Sequence, residues 1–199
     1  MFPLVETIKI LDGTAHNLDL HQSRMDSSYK KLFGSKNIFI LKKIIDIPIG
    51  YKKNKVKLRF LYNQNSFKTE YSYYSPKSLT TLQCVFDNNI SYSLKYTDRN
   101  EINSLLLKKA DCDDILIIKN GFLTDSSYTN IVFFDGNNWV TPTTPLLFGT
   151  AREKLIRMGK IKPEFIKIED LSKFSHFKLI NAMLDFEEQD KIDINSIYI

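Results

Sequence analysis

The chain is poor in cysteine and in glycine. Among its 199 residues there are only two cysteines, Cys84 and Cys112, which are too few for a disulfide framework and show no metal-ligand spacing. This usage is typical of a reducing compartment, so we expect the cytoplasm and no metal site. Only seven glycines are present, and no glycine-rich loop follows the first predicted strand, which argues against a dinucleotide-binding Rossmann domain.

Long apolar runs and a strong charge of one sign are also missing. No apolar run approaches the roughly 18 residues that a membrane span requires, and the start of the chain lacks the basic and apolar regions of a secretory signal. The net charge of +5 is modest, and the densest basic run, residues 51–59, alternates with apolar residues in its second half. We interpret that run as the solvated face of a strand. We therefore expect no membrane and no nucleic-acid partner, whereas an anionic small-molecule substrate fits the surplus of positive charge.

Hydrophobic periodicity predicts strands and one long helix in the first part of the chain. The helix has Asn17 as a plausible N-cap and Gly34 as its C-terminal stop. Two alternating segments flank the polar loop at residues 63–66 and indicate a hairpin. The predicted elements are a strand at Leu4–Ile10, a helix from Asn17 to Phe33, hairpin strands at Lys55–Tyr62 and Phe67–Tyr74, and a strand at Leu79–Phe86.

The segment Asp87-Asn88-Asn89 is the best candidate for a link between domains. We expect a small N-terminal α+β domain at residues 1–86 and a larger C-terminal domain with a barrel-like sheet at residues 87–199. The order of elements favours an α+β fold with mostly antiparallel sheet over a βαβ alternation. In the second domain the pattern predicts a helix at Arg99–Lys109, a strand at Asp114–Ile118, a turn at Asn120-Gly121, paired strands at Asn130–Phe134 and Trp139–Thr141, a helix at Thr150–Met158, and strands near Phe165–Ile168 and Phe177–Ile180.

Several polar residues stand at the ends of these predicted elements. Lys95 follows a predicted strand and precedes a helix, although an isolated lysine is most often a surface residue. Asp125 lies five positions before Asn130, which opens a strand. The other stretches of interest are Val5-Glu6-Thr7, His21-Gln22-Ser23-Arg24-Met25, Thr141-Pro142, Gly149-Thr150-Ala151-Arg152 and Leu179-Ile180-Asn181-Ala182-Met183.

This ordered set resembles the class IV, fold-type IV pyridoxal-phosphate family. That family includes branched-chain aminotransferases, D-amino-acid transaminases and 4-amino-4-deoxychorismate lyases. Its signature is an acidic residue five positions before a strand-opening Asn, then a Thr and a Gly-x-x-Arg. The matching residues here are Asp125, Asn130, Thr141 and Gly149 to Arg152, and Lys95 with Arg99 resembles the lyase branch. The resemblance covers nearly the whole chain, in the right order.

The resemblance implies that Lys95 carries the cofactor, pyridoxal 5'-phosphate, and performs catalysis. Its amine would form a Schiff base, the internal aldimine, and would afterwards act as a general base. Asp125 would keep the pyridine nitrogen of the cofactor protonated. The family usually has Glu at this position, so the side chain of Asp125 reaches about 1.3 Å less far, one bond along the chain.

The resemblance also implies a phosphate site and substrate contacts. Arg24, the helix start at Gly149 and Thr150, and the loop at Asn181 and Ala182 would hold the cofactor phosphate. The plainer alternatives are an exposed helical arginine, a helix cap and a turn residue. Candidate substrate contacts are Arg99 and Tyr128, while His21 is interpreted as a helical histidine without a role.

Three functions follow from this interpretation. The first is a lyase that converts 4-amino-4-deoxychorismate to 4-aminobenzoate and pyruvate, a step of folate biosynthesis, favoured by the compact length of the chain and by Lys95 and Arg99. The second is an aminotransferase for an amino acid and a 2-oxo acid, which would use the same residues. The third is a non-catalytic relative, suggested by Asp125 and by short loops. Family resemblance further implies a homodimer.

Overall fold

The computed structural model of the protein describes residues 1–199. The chain divides into two compact units, neither of which is one continuous stretch. The first unit comprises residues 1–76 and 94–98, and the second comprises residues 77–93 and 99–199. Each unit has its own sheet and its own apolar core.

The first unit is a four-stranded antiparallel sheet with a long helix packed against it. Every second residue of its third strand is buried, from Val56 to Tyr62, because successive side chains of a strand point to opposite faces. This apolar face packs with Ile8 of the first strand and with Met25 and Tyr29 of the helix. The elements are β1 (Leu4–Leu11), β2 (Thr14–Ala15), α1 (Leu18–Phe33), α2 (Leu41–Ile44), a 3-10 turn (Ile49–Tyr51), β3 (Lys55–Tyr62) and β4 (Phe67–Tyr73), with strand order β2-β1-β3-β4.

The second unit is a mixed sheet with two short helices. Its strands run in the order β10-β9-β8-β7-β6-β5-β13, and β11 joins through β8 and carries β12. The pairs β5–β6, β5–β13 and β9–β10 are parallel, and the others are antiparallel. The elements are β5 (Leu82–Phe86), α3 (Asn100–Leu106), β6 (Asp114–Lys119), β7 (Phe122–Ser126), β8 (Asn130–Phe134), β9 (Trp139–Pro142), α4 (Thr150–Arg157), β10 (Lys162–Glu164), β11 (His176–Ile180), β12 (Ile192–Asp193) and β13 (Ile197–Tyr198), with 3-10 turns at Ile168–Lys173 and Ile194–Ser196.

Two predicted stop and turn signals are confirmed by backbone geometry. Gly34 follows α1 with φ 70°, a left-handed conformation that glycine adopts at little cost, and its N–H donates to the Lys30 carbonyl. Asn120 and Gly121 both have positive φ, 52° and 79°, as the tight hairpin turn between β6 and β7 requires. Asn17 does precede α1, but its side chain makes no capping hydrogen bond.

The predicted α+β fold is confirmed, and so is the hairpin of β3 and β4. The expected pairing of β8 with β9 across residues 135–138 is also present. None of the helices is both long and apolar enough to cross a membrane.

The predicted domain boundary between residues 86 and 87 differs from the division in the structure. β5 pairs along its whole length with β6, so it belongs to the second unit. The chain then returns to the first unit at Leu94–Asp98, where Tyr96 forms an isolated bridge with Leu4. These long-range pairings leave no trace in local composition.

Three predicted elements need correction. No strand covers Phe165–Ile168; the strand in this region is β10, and a 3-10 turn begins at Ile168. The helix predicted at Arg99–Lys109 ends at Leu106, and the strand predicted from Leu79 begins at Leu82. Lys95 does not leave a strand, because β5 ends at Phe86 and the lysine lies in an irregular segment.

Candidate active site

A buried carboxylate marks the first unit. Glu6 is fully buried in β1, on the same face as the core residues Leu4, Ile8 and Ile10, because side chains two apart on a strand share a face. A carboxylate among apolar side chains requires charged or hydrogen-bonding partners. Those partners come from the helix α1.

His21 and Arg24 on α1 supply the hydrogen bonds to Glu6. They are three residues apart, so they lie on one face of the helix. His21 Nδ1 is 2.6 Å from Glu6 Oε2. The guanidinium of Arg24 forms a two-pronged contact, with Nε donating to Oε1 at 3.0 Å and a terminal nitrogen donating to Oε2 at 2.5 Å. Such a forked contact fixes the orientation of the guanidinium.

The ionisation of this cluster follows from its contacts. Burial alone would raise the pKa of Glu6, but the positive charge of Arg24 and the hydrogen bonds from His21 and Arg24 lower it to about 2. Burial lowers the pKa of His21, and the positive charges of Arg24 and Lys95 act in the same direction. A neutral His21 then donates through Nδ1 to the ionised Glu6, while its buried Nε2 has no hydrogen-bond partner.

Lys95 is attached to the same unit by main-chain contacts with the start of β1. Its carbonyl accepts from the Val5 N–H at 3.0 Å, and two residues later the Thr97 N–H donates to the Pro3 carbonyl at 2.9 Å. The side chain is half-buried, and its charge is close enough to act on the pKa of His21. The structure therefore brings together Lys95 and Arg24, which the sequence singled out, with Glu6 and His21.

A second buried carboxylate, Asp125, lies in the second unit at the end of β7. It faces Asn130, the first residue of β8, in the strand pairing. Asn130 Nδ2 donates to Asp125 Oδ1 at 2.7 Å and also to the Leu147 carbonyl at 2.9 Å. The Leu147 N–H donates to Asp125 Oδ2 at 2.9 Å, so both carboxylate oxygens are fixed.

The environment of Asp125 favours its neutral form. Burial raises the pKa of Asp125 to about 7, although the hydrogen bonds from Leu147 and Asn130 and the charge of Arg152 oppose that shift. Arg152 is itself buried, and burial lowers its pKa. A terminal nitrogen of Arg152 donates to the Pro142 carbonyl at 2.9 Å, which anchors the first turn of α4.

The residues of the second unit that the sequence predicts to bind the cofactor phosphate lie in two separate segments of the chain. Thr150 is the buried first residue of α4, and Gly149 precedes it in an extended conformation. Asn181 follows β11, and its Oδ1 accepts from the N–H groups of Met183 and Leu184 at 2.8 and 3.1 Å. Asn181 therefore shapes a turn, as its plainer interpretation expected, and Ala182 lies within that turn half-buried.

Arg99 and Tyr128 are brought together, as candidate substrate residues should be. The guanidinium carbon of Arg99 lies 3.9 Å from the centre of the Tyr128 ring. Arg99 also donates to the Ser127 carbonyl at 2.7 Å. The Tyr128 ring is largely exposed, whereas Ser127 is buried.

Sequence reasoning missed several of these partners. It assigned no role to His21, did not pair Glu6 with Arg24, and overlooked Ser127. One signal was available: Glu6 occupies an apolar position in the alternation of β1, which predicts a buried charge that needs a partner. The identity of that partner depends on tertiary contacts.

Comparison with known proteins places the chain in a family. Residues 3–186 match the family model described as amino-transferase class IV. An uncharacterized protein of Haemophilus influenzae is 42% identical over 185 residues, which cover 92% of this chain and 98% of that protein. Among solved structures, a proposed 4-amino-4-deoxychorismate lyase from Haemophilus somnus is similar with a TM-score of 0.87 and 39% identity, covering 92% of this chain and 97% of that chain.

A more distant structure shares the fold. It is a hypothetical aminotransferase from Mycobacterium tuberculosis in its PLP-bound form, with a TM-score of 0.77, 14% identity, and coverage of 98% of this chain and 81% of that chain. The match of the family model over most of the sequence, with a similar structure at 39% identity, is decisive. The chain belongs to the class IV aminotransferase family, a family of pyridoxal-phosphate enzymes.

Proposed function

We propose that this protein is a lyase that uses pyridoxal phosphate to convert 4-amino-4-deoxychorismate to 4-aminobenzoate and pyruvate. The observation that carries the proposal is the similarity to the proposed lyase from Haemophilus somnus, at 39% identity over nearly the full length of both chains.

The donor groups of the chain suit the cofactor. Pyridoxal phosphate has an aldehyde, a phosphate dianion and a ring nitrogen that carries a proton when the ring works as an electron sink. Among the described residues, the half-buried Lys95 matches the aldehyde and the fixed guanidinium of Arg24 matches the phosphate. The buried carboxylate of Asp125 matches the protonated nitrogen. All three groups fit by charge and by chemistry.

Lys95 is proposed to have two tasks. Its amine would bond to the cofactor, and after the substrate amine has taken its place Nζ would remove the proton from the carbon next to that amine. Both tasks require an uncharged amine.

Arg24 is proposed to bind the phosphate together with Gly149 and Thr150. The two hydrogen bonds that Arg24 donates to Glu6 support this role. They hold the guanidinium in one orientation, so little conformational entropy remains to be lost when the phosphate binds. The first N–H groups of α4 and the hydroxyl of Thr150 would add donors of fixed direction. The turn at Asn181 and Ala182 is proposed to contribute main-chain donors.

Asp125 is proposed to accept from the ring nitrogen despite its short side chain. Oδ1 accepts from Asn130 and Oδ2 from Leu147, and a carboxylate has about four lone-pair sites, which leaves capacity for the ring nitrogen. A cation beside a carboxylate lowers the pKa of the acid. A protonated ring nitrogen would therefore lower the pKa of Asp125 from about 7 and favour its ionised form. The ionised carboxylate would in turn stabilise the proton on the ring nitrogen.

Incubation of the purified protein with 4-amino-4-deoxychorismate tests the lyase. We expect pyruvate and 4-aminobenzoate in equal amounts without any added amino acceptor. Transfer of the amino group from alanine to 2-oxoglutarate, without lyase products, would show that the protein is an aminotransferase and not the lyase. A protein that binds the cofactor and catalyses neither reaction would be the non-catalytic relative. Sedimentation of the same preparation would test the expected homodimer.

A further inference from the structure

Hydrogen bonds among its own residues stabilise the turn between β7 and β8. Ser126 Oγ and Thr129 Oγ1 are 2.7 Å apart, and the Thr129 N–H donates to Ser126 Oγ at 3.1 Å. The Ser126 N–H donates to the Thr129 carbonyl at 2.9 Å and closes the turn. Ser127 and Tyr128, at the tip, are therefore held in fixed positions two and three residues after Asp125.

Arg99 is fastened to this tip from outside the hairpin. One terminal nitrogen donates to the Ser127 carbonyl, and the Tyr128 ring covers one face of the guanidinium at 3.9 Å. Stacking on an aromatic ring and a hydrogen bond to a carbonyl leave the positive charge of Arg99 intact. No carboxylate of the protein pairs with that charge.

Two polar atoms at this place are buried and have no hydrogen-bond partner. They are Arg99 Nε and Ser127 Oγ, and Ser127 is only 3% exposed. A guanidinium N–H can only donate, and a serine hydroxyl can donate as well. A buried polar group without a partner is unfavourable. What both atoms lack is an acceptor, and the unpaired charge of Arg99 favours an acceptor that is an anion.

We propose that Arg99 and Ser127 form a subsite for a carboxylate of the substrate. The carboxylate would accept from Arg99 Nε and from the Ser127 hydroxyl, with Tyr128 keeping the guanidinium in place. A carboxylate has two oxygens with lone pairs for two donors, so one group satisfies both. The inference rests on the proposed function for the identity of the acid, but the subsite itself follows from the two unpartnered atoms.

A purely structural role for Arg99 makes a different prediction. If Arg99 only fastened the turn, the hydroxyl of Ser127 would be an unsatisfied buried group, and its removal would leave binding unchanged and stability equal or higher. If the subsite exists, the same removal costs a hydrogen bond to a charged ligand. Ser127→Ala therefore separates the two roles without disturbing the contacts of Arg99, which use the main chain of Ser127.

The test is calorimetric titration of the purified protein with 4-aminobenzoate, pyruvate and 2-oxoglutarate, and with 4-aminobenzamide as the uncharged counterpart of the first acid. We expect at least one acid to bind, and 4-aminobenzoate to bind at least tenfold more tightly than the amide. Ser127→Ala should weaken binding of the acid about tenfold, as expected for the loss of one charge-assisted hydrogen bond. Arg99→Lys should weaken it further. Ser104→Ala, on the exposed face of α3, serves as the matched control and should change nothing.

Three results would overturn the subsite: measurable binding of 4-aminobenzoate that its amide equals, binding of the acids by Ser127→Ala as tight as by the wild type, or no binding of any of the three acids. The lyase assay is scored separately. A protein that binds 2-oxoglutarate through Ser127 but releases no 4-aminobenzoate retains the subsite and loses the lyase. If the protein is an active lyase but Ser127→Ala binds the acids as tightly as the wild type, the proposed function stands and the proposed subsite is wrong.

Discussion

Asn130 fills the space into which a side chain at position 149 would project. A β-carbon on Gly149 would lie 2.0 Å from Asn130 Oδ1 and 3.1 Å from Cγ, far inside contact distance. The same Asn130 side chain donates to Asp125 and to the Leu147 carbonyl. The glycine thus leaves room for the amide that orients the buried acid.

Gly149→Ala should destabilise the protein because Asn130 must move. We expect the free energy of unfolding to fall by about 1–3 kcal/mol, the usual cost of overpacking. Denaturant titration measures that loss. Gly50→Ala is the control, since a β-carbon there meets nothing within 4 Å and the backbone is not left-handed. Equal stability of the two variants would show that Asn130 can move away at no cost.

Asn130→Ala should loosen Asp125 while keeping the backbone intact. The substitution removes one donor from the carboxylate and one from the Leu147 carbonyl, and each buried group left unpaired costs about 1–3 kcal/mol. We expect lower stability and weaker retention of pyridoxal phosphate on dialysis, followed by absorbance. Unchanged retention would mean that Leu147 alone suffices to hold Asp125.

Glu6 should make the free energy of unfolding depend on pH in the acid range. Its pKa is lowered from the ordinary 4.5 to about 2, so the unfolded chain binds the proton more readily than the folded one. Stability from this group is present above pH 4.5 and is lost as the pH falls toward 2, by about 3 kcal/mol in all. Glu6→Gln should be less stable at pH 7 and should lack this acid-dependent part. Unfolding curves measured at several pH values check it, and an identical acid slope in Glu6→Gln would contradict the assignment.

Asp125 should act in the opposite sense when no cofactor is bound. Its pKa is raised from the ordinary 3.8 to about 7, so the folded chain holds the proton more tightly. Stability contributed by the neutral acid is lost as the pH rises from about 4 to 7, by about 4 kcal/mol at most. Asp125→Asn should flatten that part of the profile and should bind pyridoxal phosphate poorly. A cofactor-free wild type whose stability rises steadily over this range, with Asp125→Asn identical, would disprove it.

Lys95→Ala should abolish covalent attachment of the cofactor. The wild-type protein with pyridoxal phosphate should be yellow, and borohydride should bleach it and fix the cofactor to the chain. Lys108→Ala, an exposed lysine of the second unit, should behave as wild type. Mass spectrometry of the reduced protein locates the modified residue, and attachment anywhere other than Lys95 would refute the proposed role.

Local patterns predicted the elements whose shape is decided by their own residues. The alternation of Lys55–Tyr62 has the same bounds in β3, and the Asn120-Gly121 turn lies where it was predicted, directly after β6. The strand expected near Phe165–Ile168 was wrong, since Phe165 is exposed and β10 instead pairs in parallel with β9. Which neighbour an edge strand finds is a tertiary property that a short apolar run does not encode.

In the candidate site, too, contacts that depend on tertiary packing could not be predicted from the sequence. The resemblance to the family singled out Asp125 with Asn130, and the structure pairs them because both belong to one hairpin. The contact of Glu6 with Arg24 joins residues 18 apart through the packing of a helix on a strand, and only the structure reveals it. The unpartnered hydroxyl of Ser127 could be recognised only after every neighbouring donor and acceptor had been located.

The excursion of residues 94–98 into the first unit has a consequence for biosynthesis. When residue 76 has left the ribosome, the N-terminal sheet still lacks the strip that lines β1 and carries Lys95. That strip arrives only after β5 has been made, before its parallel partner β6 exists. A nascent chain released before residue 98 would therefore lack a complete first unit. The amine of Lys95, which we propose to bind the cofactor, would be among the last parts of that unit to take its place.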